Sequence, residues 1–139
     1  MKFTDDYLLY LMAQASAAIS AEFHGWLERE GVAVGDWRIL ASLHPDAVMT
    51  ISELAASCMS KQPTMSRMID RLAERGLVER EAFGADRRRV GVRLTGAGAA
   101  LAARLVREAR AHEARVLARF DADPNDLKAL LRLLASDGG

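Results

Sequence analysis

Between Ser60 and Gly76 the chain runs Lys61-Gln62-Pro63-Thr64-Met65-Ser66-Arg67-Met68-Ile69-Asp70-Arg71-Leu72-Ala73-Glu74-Arg75. Met65, Met68, Ile69 and Leu72 recur at i, i+3, i+4 and i+7, which places four apolar side chains on one face of an α-helix. At about 100° per residue, Pro63, Ser66, Arg67 and Asp70 point the other way. Pro63 suits the first helical turn, where its missing N–H is not needed. Ser60 reads as the N-cap and Gly76 as the stop. Upstream, Thr50-Ile51-Ser52-Glu53 has the T-x-x-E form of a capping box. Ile51, Leu54, Ala55 and Cys58 follow at the same helical spacing, so the single cysteine falls on a buried stripe. Two short helices separated by a tight turn are expected.

After Gly76 the period changes. Leu77-Val78-Glu79-Arg80-Glu81-Ala82-Phe83 is a strand candidate, and Val90, Val92 and Leu94 alternate with Arg89, Gly91 and Arg93 as another. Between them Gly84-Ala85-Asp86-Arg87-Arg88 forms a turn-rich tip, with the three consecutive arginines Arg87, Arg88 and Arg89 at its far end. Two short helices followed by an arginine-tipped hairpin make a winged helix-turn-helix. An α-helix fits the DNA major groove, and its N-terminal residues reach base edges. Ser60, Gln62, Thr64 and Ser66 supply small or amide hydrogen-bonding groups, and Arg67 can meet a guanine edge or a phosphate. Hairpin arginines can enter the minor groove or grip the backbone. Asp70 would repel phosphates if unpaired, so it is expected to pair with Arg67 or with a wing arginine.

The charge pattern agrees. Nineteen Lys and Arg balance nineteen Asp and Glu over 139 residues. Residues 61–93 nevertheless hold nine cations against five acids, a net of +4, which leaves −4 on the rest. A basic segment inside an acidic frame points to a polyanion met on one surface only, though ordinary surface charge has the same signature. One cysteine excludes a disulfide framework. His24, His44 and His112 show no ligand-like clustering, so neither a metal nor another cofactor is expected. The N-terminus lacks the basic start and apolar run of a signal peptide, and no apolar run reaches the ~18 residues of a membrane span. A cytoplasmic protein with no membrane contact is expected.

The flanking segments are helical. Thr4 reads as an N-cap, with Asp5 and Asp6 in the first turn of a helix that continues to Gly31 through Leu8, Leu11, Met12, Ala15, Ile19, Phe23, Trp26 and Leu27. A second helix is expected from about Asp36 to His44, broken by Pro45. Thr95 can cap a fifth that runs to about Asp121. Asp123-Pro124-Asn125-Asp126 starts a sixth, with Leu127, Leu130, Leu131 and Leu134 as its stripe. The apolar stripes of residues 5–30 and 98–134 exceed what one winged domain can bury, so they call for a partner.

The whole chain resembles the MarR family of transcription regulators. The resemblance is carried by the stretch Lys61 to Val78 and by the wing Asp86-Arg87-Arg88-Arg89-Val90-Gly91-Val92-Arg93-Leu94-Thr95, similar to the family's D-x-R…L-T pattern. Asp36-Trp37-Arg38-Ile39-Leu40 resembles its second helix. Gly96-Ala97 departs from the pattern, since the family more often has charged helix formers before the glycine that aligns with Gly98. Two glycines there are expected to let the fifth helix fray. The resemblance implies one mainly α domain with a small β wing over residues 1–139. It divides into a winged helix DNA-binding lobe, 34–95, and a helical dimerisation lobe, 1–33 and 96–139. It also implies a homodimer on a pseudo-palindromic operator in double-stranded DNA, a repressor released or tuned by a small aromatic or phenolic effector. The DNA-contacting set is then Ser60, Lys61, Gln62, Pro63, Thr64, Ser66, Arg67, Asp70, Arg71, Asp86, Arg87, Arg88 and Arg89. The effector candidates are Phe23, Trp37 and Arg38, where a ring could stack on the tryptophan and a carboxylate meet the arginine. The same three residues fit a core aromatic cluster with a surface ion pair.

Two other classes compete. A small enzyme with a helical pocket is opposed by the lack of a nucleophile–base pair, paired acids or a phosphate-cradling Gly loop. A helical adaptor or ligand-binding protein without a DNA role would leave the winged segment idle. Cys58 can pack or sense oxidants; its buried register favours packing. The family's peroxide-sensing members carry their cysteine in the first helix, where this chain has none.

Overall fold

The helix-turn-helix forms where its local chemistry demands. In the computed structural model, which describes residues 1–82 and 90–136, the third and fourth helices are α3 (Ile51–Ser57) and α4 (Gln62–Glu74). Thr50 Oγ1 accepts from the Glu53 N–H at 3.1 Å while Glu53 Oε1 accepts from the Thr50 N–H at 3.3 Å, the reciprocal capping box. The turn between the helices is carried by Met59, a side-chained residue at φ 55. Its left-handed backbone lets the Ser60 N–H reach the Ala55 carbonyl at 2.8 Å and close α3. This displaces the expected cap of α4. Ser60 belongs to the turn and its hydroxyl donates weakly to the Lys61 carbonyl, so the extended Lys61 is the N-cap, without a side-chain bond. Gly76, at φ 75, ends the helix as expected, with the Leu77 N–H on the Leu72 carbonyl at 3.0 Å.

Two antiparallel strands follow, β1 (Val78–Ala82) and β2 (Val90–Leu94), with Val78 opposite Leu94 and Ala82 opposite Val90. Met49 adds a bridge to Val92, the middle residue of β2. The simple alternation expected for β2 fails at its outer end: Gly91 and Val92 are both buried while Val90 is exposed. The expected tip residues Asp86, Arg87, Arg88 and Arg89 lie outside the described residues.

The remaining helices are α1 (Leu8–Arg29), α2 (Val34–Leu43), α5 (Gly96–Leu117) and α6 (Pro124–Ser136). α1 starts later than Thr4. Phe3–Asp5 form a separate 3₁₀ turn in which the Asp5 carboxylate accepts from the Lys2 N–H, and Phe3 stacks on Tyr7 at 4.7 Å. α2 begins two residues before Asp36 and stops one before His44, while α5 stops at Leu117 rather than near Asp121. The start of α5 is firmly tied rather than loose: Thr95 Oγ1 accepts from the Gly98 N–H at 3.1 Å, and Gly98 is buried.

The core joins α2, α3, α4 and the wing to the C-terminal part of α1 and the first half of α5. Leu27, Ile39, Leu40, Leu43, Leu54, Met65, Ile69, Leu72, Val92 and Leu105 are fully buried within it. It holds the inner face of α4, which leaves the opposite face outward.

Candidate nucleic-acid interface

Locking Met65, Ile69 and Leu72 inward fixes what α4 shows to solvent. Lys61, Gln62, Pro63, Thr64, Arg67, Asp70 and Arg71 are exposed, and Ser60 and Ser66 are half-buried. Ten residues upstream, Ser52 on α3 accepts a hydrogen bond from Gln62 Nε2 at 3.2 Å, which orients the amide at the start of α4. Arg67 stays on its own helix, its Nη2 reaching Thr64 Oγ1 at 3.4 Å, one turn back. That contact is weak, so the guanidinium can be given up to an outside acceptor.

Asp70 does not pair with Arg67. Arg80 on β1 takes it, Nη2 to Oδ1 at 2.7 Å. The acid that would otherwise repel a polyanion is therefore neutralised, and it ties the middle of α4 to the first wing strand. Arg93 is likewise occupied, by Glu79 at 3.6 Å and Glu81 at 3.2 Å across the hairpin. Arg75 at the end of α4 reaches Asp36 at 3.0 Å. Among the described cations of the basic segment, Lys61, Arg67 and Arg71 have no ion pair to another described residue. Among the described residues of this segment, the unpaired positive charge thus lies on α4 and its N-cap.

The three effector candidates part company. Phe23 is 8% exposed, stacked on Trp26 at 5.6 Å and edge-on to Trp37 at 5.1 Å, with His112 at 6.0 Å. Trp37 turns its open side to a cleft of about 340 Å³ between α2 and α5, bounded by His44, Val106, Ala109, Arg110 and Glu113. Arg38 points elsewhere. It borders a separate cleft of about 170 Å³ beside Gly35, Cys58, Met59 and Met68. Adjacent residues on a helix lie about 100° apart, which is why one cleft does not take both.

Residues 34–90 match the sequence profile of the MarR family. The HTH-type transcriptional repressor Rv2887 of Mycobacterium tuberculosis is 31% identical over 139 residues, which is 99% of this chain and 100% of that protein. The chain belongs to the MarR family. The solved structure of the MarR family transcriptional regulator SPO1453 from Silicibacter pomeroyi DSS-3 superposes with a TM-score of 0.85 at 43% identity, over 97% of each chain. That of the transcriptional regulator PA3341 gives 0.81 at 34%, over 93% of this chain and 96% of the other. As a MarR-family transcriptional regulator, the chain has its helix-turn-helix and two-stranded wing in the order its relatives have them. No helix among the described residues is long and apolar enough to cross a membrane.

Several residues of this MarR-family site are not singled out by sequence pattern alone. Ser52 and Arg80 each act ten residues away from the α4 side chain they hold. Arg110 and Glu113 enter the Trp37 cleft from α5, more than seventy residues downstream. Cys58 is buried as its register implies, and that burial pushes its thiol above the ordinary value despite Ser42 and Arg38 nearby. A raised thiol holds little thiolate near neutrality, which argues for packing over redox chemistry.

Proposed function

We propose that this MarR-family regulator is a cytoplasmic repressor that binds double-stranded DNA as a homodimer on a pseudo-palindromic operator, tuned by a small aromatic or phenolic ligand. The observation that carries the DNA reading is the outward face of α4, where Lys61, Gln62, Thr64, Arg67 and Arg71 stand exposed around a neutralised Asp70. Residues 34–95 form the DNA-binding lobe and residues 1–33 with 96–139 the dimerisation lobe. Support for dimerisation comes from Leu8, Leu9, Leu11, Leu127, Leu130, Leu131 and Leu134, all exposed in the protomer. Support for repression comes from relatives such as Rv2887, which are repressors.

Arg67 is assigned as the base reader, with Ser60, Gln62, Thr64 and Ser66 as shorter polar contacts. Lys61, Arg71 and the wing arginines Arg87, Arg88 and Arg89 are assigned to phosphates or a narrow minor groove. Arg67→Ala should then cost about 1–3 kcal/mol per half-site and relax preference at one base position. Arg88→Ala removes one phosphate contact per protomer, two per dimer, so its salt slope should fall by about two units on operator and scrambled duplexes alike. Binding isotherms at several salt concentrations decide this. Equal weakening on both duplexes by Arg67→Ala, with base preference erased by Arg88→Ala, reverses the assignment.

For the effector, the Trp37 cleft offers a ring to stack on, backed by Phe23, and the arginine that lines it is Arg110, paired there with Glu113, rather than Arg38. Benzoate and phenol are the simplest probes. Stabilisation by either in a thermal shift assay should disappear in Trp37→Ala. For benzoate it should also weaken in Arg110→Ala but not in Arg38→Ala. No stabilisation, or sensitivity to Arg38 alone, rejects this cleft.

A further inference from the structure

Thr95 stands where β2 passes into α5, and its hydroxyl serves two partners. It accepts from the Gly98 N–H at 3.1 Å, the ordinary role of an N-cap. It also donates to the Gly76 carbonyl at 2.6 Å, outside its own helix. A cap needs only the first of these bonds. The second grips the residue that ends α4, and a third tie runs alongside it, from the Thr95 N–H to the Leu77 carbonyl at 3.1 Å. Gly98 completes the corner. A Cβ there would fall 1.8 Å from the Leu77 carbonyl oxygen, so the first turn of α5 approaches that backbone more closely than any side chain allows.

Gly76 and Leu77 are the two residues that close α4, one by its left-handed backbone and the other by its bond to Leu72. The C-terminal end of α4 is therefore clamped to the first turn of α5. From there α5 runs 22 residues, about 33 Å at 1.5 Å per residue, into the helical lobe. A small rotation at its first turn is magnified along that length. The other described side-chain tie at this end of α4, Arg75 to Asp36, goes to α2 and is half-exposed, hence weak and salt-screened.

We infer that the Thr95–Gly98 corner is the joint that sets the angle between α4 and α5, and through it the half-site spacing that the dimer accepts. Thr95 acts as a positioning residue: it reaches α4 through backbone and need not touch DNA. The inference rests on the homodimer-and-operator reading, because spacing has meaning only for two linked recognition helices.

The discriminating variant is Thr95→Asp. Its carboxylate can still cap Gly98 but cannot donate to Gly76, so the helix start is kept while the grip is lost. Thr95→Ser keeps both bonds. Duplexes selected by the wild-type protein from a random pool supply the operator, and versions lengthened or shortened by one base pair supply the test. Wild type and Thr95→Ser should prefer one spacing. In Thr95→Asp the ratio of affinities between preferred and altered spacing should fall by about 2- to 30-fold, the range expected of a coupling residue that touches no ligand. The salt slope should stay unchanged, because no phosphate contact is removed. Thr95→Gly removes both hydroxyl bonds at little cost to the cap and should lower the same ratio, which keeps the test open if Thr95→Asp folds poorly. A wild type that selects no paired half-sites overturns the operator reading and this inference with it. A wild type with one defined spacing, retained unchanged by Thr95→Asp and Thr95→Gly or weakened equally at every spacing, overturns the joint alone.

Discussion

α4 and α6 are both 13 residues long and both carry an apolar stripe at helical spacing. In α4 the stripe is covered: Met65, Ile69 and Leu72 have no exposed surface. In α6 no residue is buried, and Leu130 is 53% exposed. Their sequences promise the same thing, a face that must leave water, yet only one finds its cover inside the protomer. α1 shows both outcomes along one helix. Phe23 and Leu27 near its end are buried, while Leu8, Leu9, Tyr10 and Leu11 near its start are exposed beside Phe3 and Tyr7. The winged lobe is thus a finished core, and the helical lobe presents a surface of the kind a second copy completes.

The sharpest way to break that contrast is to damage each stripe in turn. Leu72→Ala removes three heavy atoms from a close-packed site and should cost about 2–5 kcal/mol of unfolding free energy. That loss should not depend on protein concentration, since the cover is intramolecular. Leu130→Lys with Leu134→Lys changes two residues that the protomer leaves open. In an isolated protomer such surface changes stay within about 0.5 kcal/mol. In a dimer they should instead turn the species seen by sedimentation into a monomer and remove the concentration dependence of the melting temperature. A double-lysine variant that sediments and melts like wild type at every concentration would show that α6 is not part of the dimer surface.

Legibility followed the range of the interaction. The capping box at Thr50 and the stop at Gly76 were readable to the residue, because each uses partners within five positions. The left-handed turn at Met59 was not, since methionine carries no preference for that backbone and the closing bond only makes sense once α3 is formed. The partner of Asp70 was offered two ways by sequence, and the strand register chose Arg80, which no one-dimensional spacing ranks above Arg67. For Trp37 and Arg38 the sequence held the answer that neighbour-by-neighbour thinking missed: consecutive residues on a helix face different clefts. The looseness expected at Gly96 and Gly98 followed from propensity alone, whereas packing uses the missing Cβ of Gly98 for a close backbone approach.

The smallest effect expected is an acid dependence, and it sharpens the contrast because its groups lie in the helical lobe. Glu22 on α1 is held by Arg119, just past α5, through contacts of 2.7 and 3.0 Å; this pairing pulls its carboxyl below the ordinary value of 4.5. Glu113 on α5 meets Lys128 on α6 at 3.0 Å and Arg110 at 2.9 Å, and it is lowered in the same way, Lys128 contributing most. A carboxyl lowered by folding stabilises the folded state at pH values above its unfolded pKa, and that contribution fades as pH falls through the lower folded value. Acid below about pH 4.5 should therefore loosen the ties among α1, α5 and α6. Glu22 is exposed and Glu113 half-buried, so the change is modest and salt-sensitive. Glu22→Gln with Glu113→Gln mimics the protonated form at every pH. The variant should melt below wild type at neutral pH, and the gap should close as acid protonates the wild-type carboxylates, because both proteins then lack the same charges. Titration of other acids is common to the two and cancels in the difference. Melting curves from neutral pH down to about pH 3 test this, and a gap that stays constant over that range would assign the loss to packing rather than to charge.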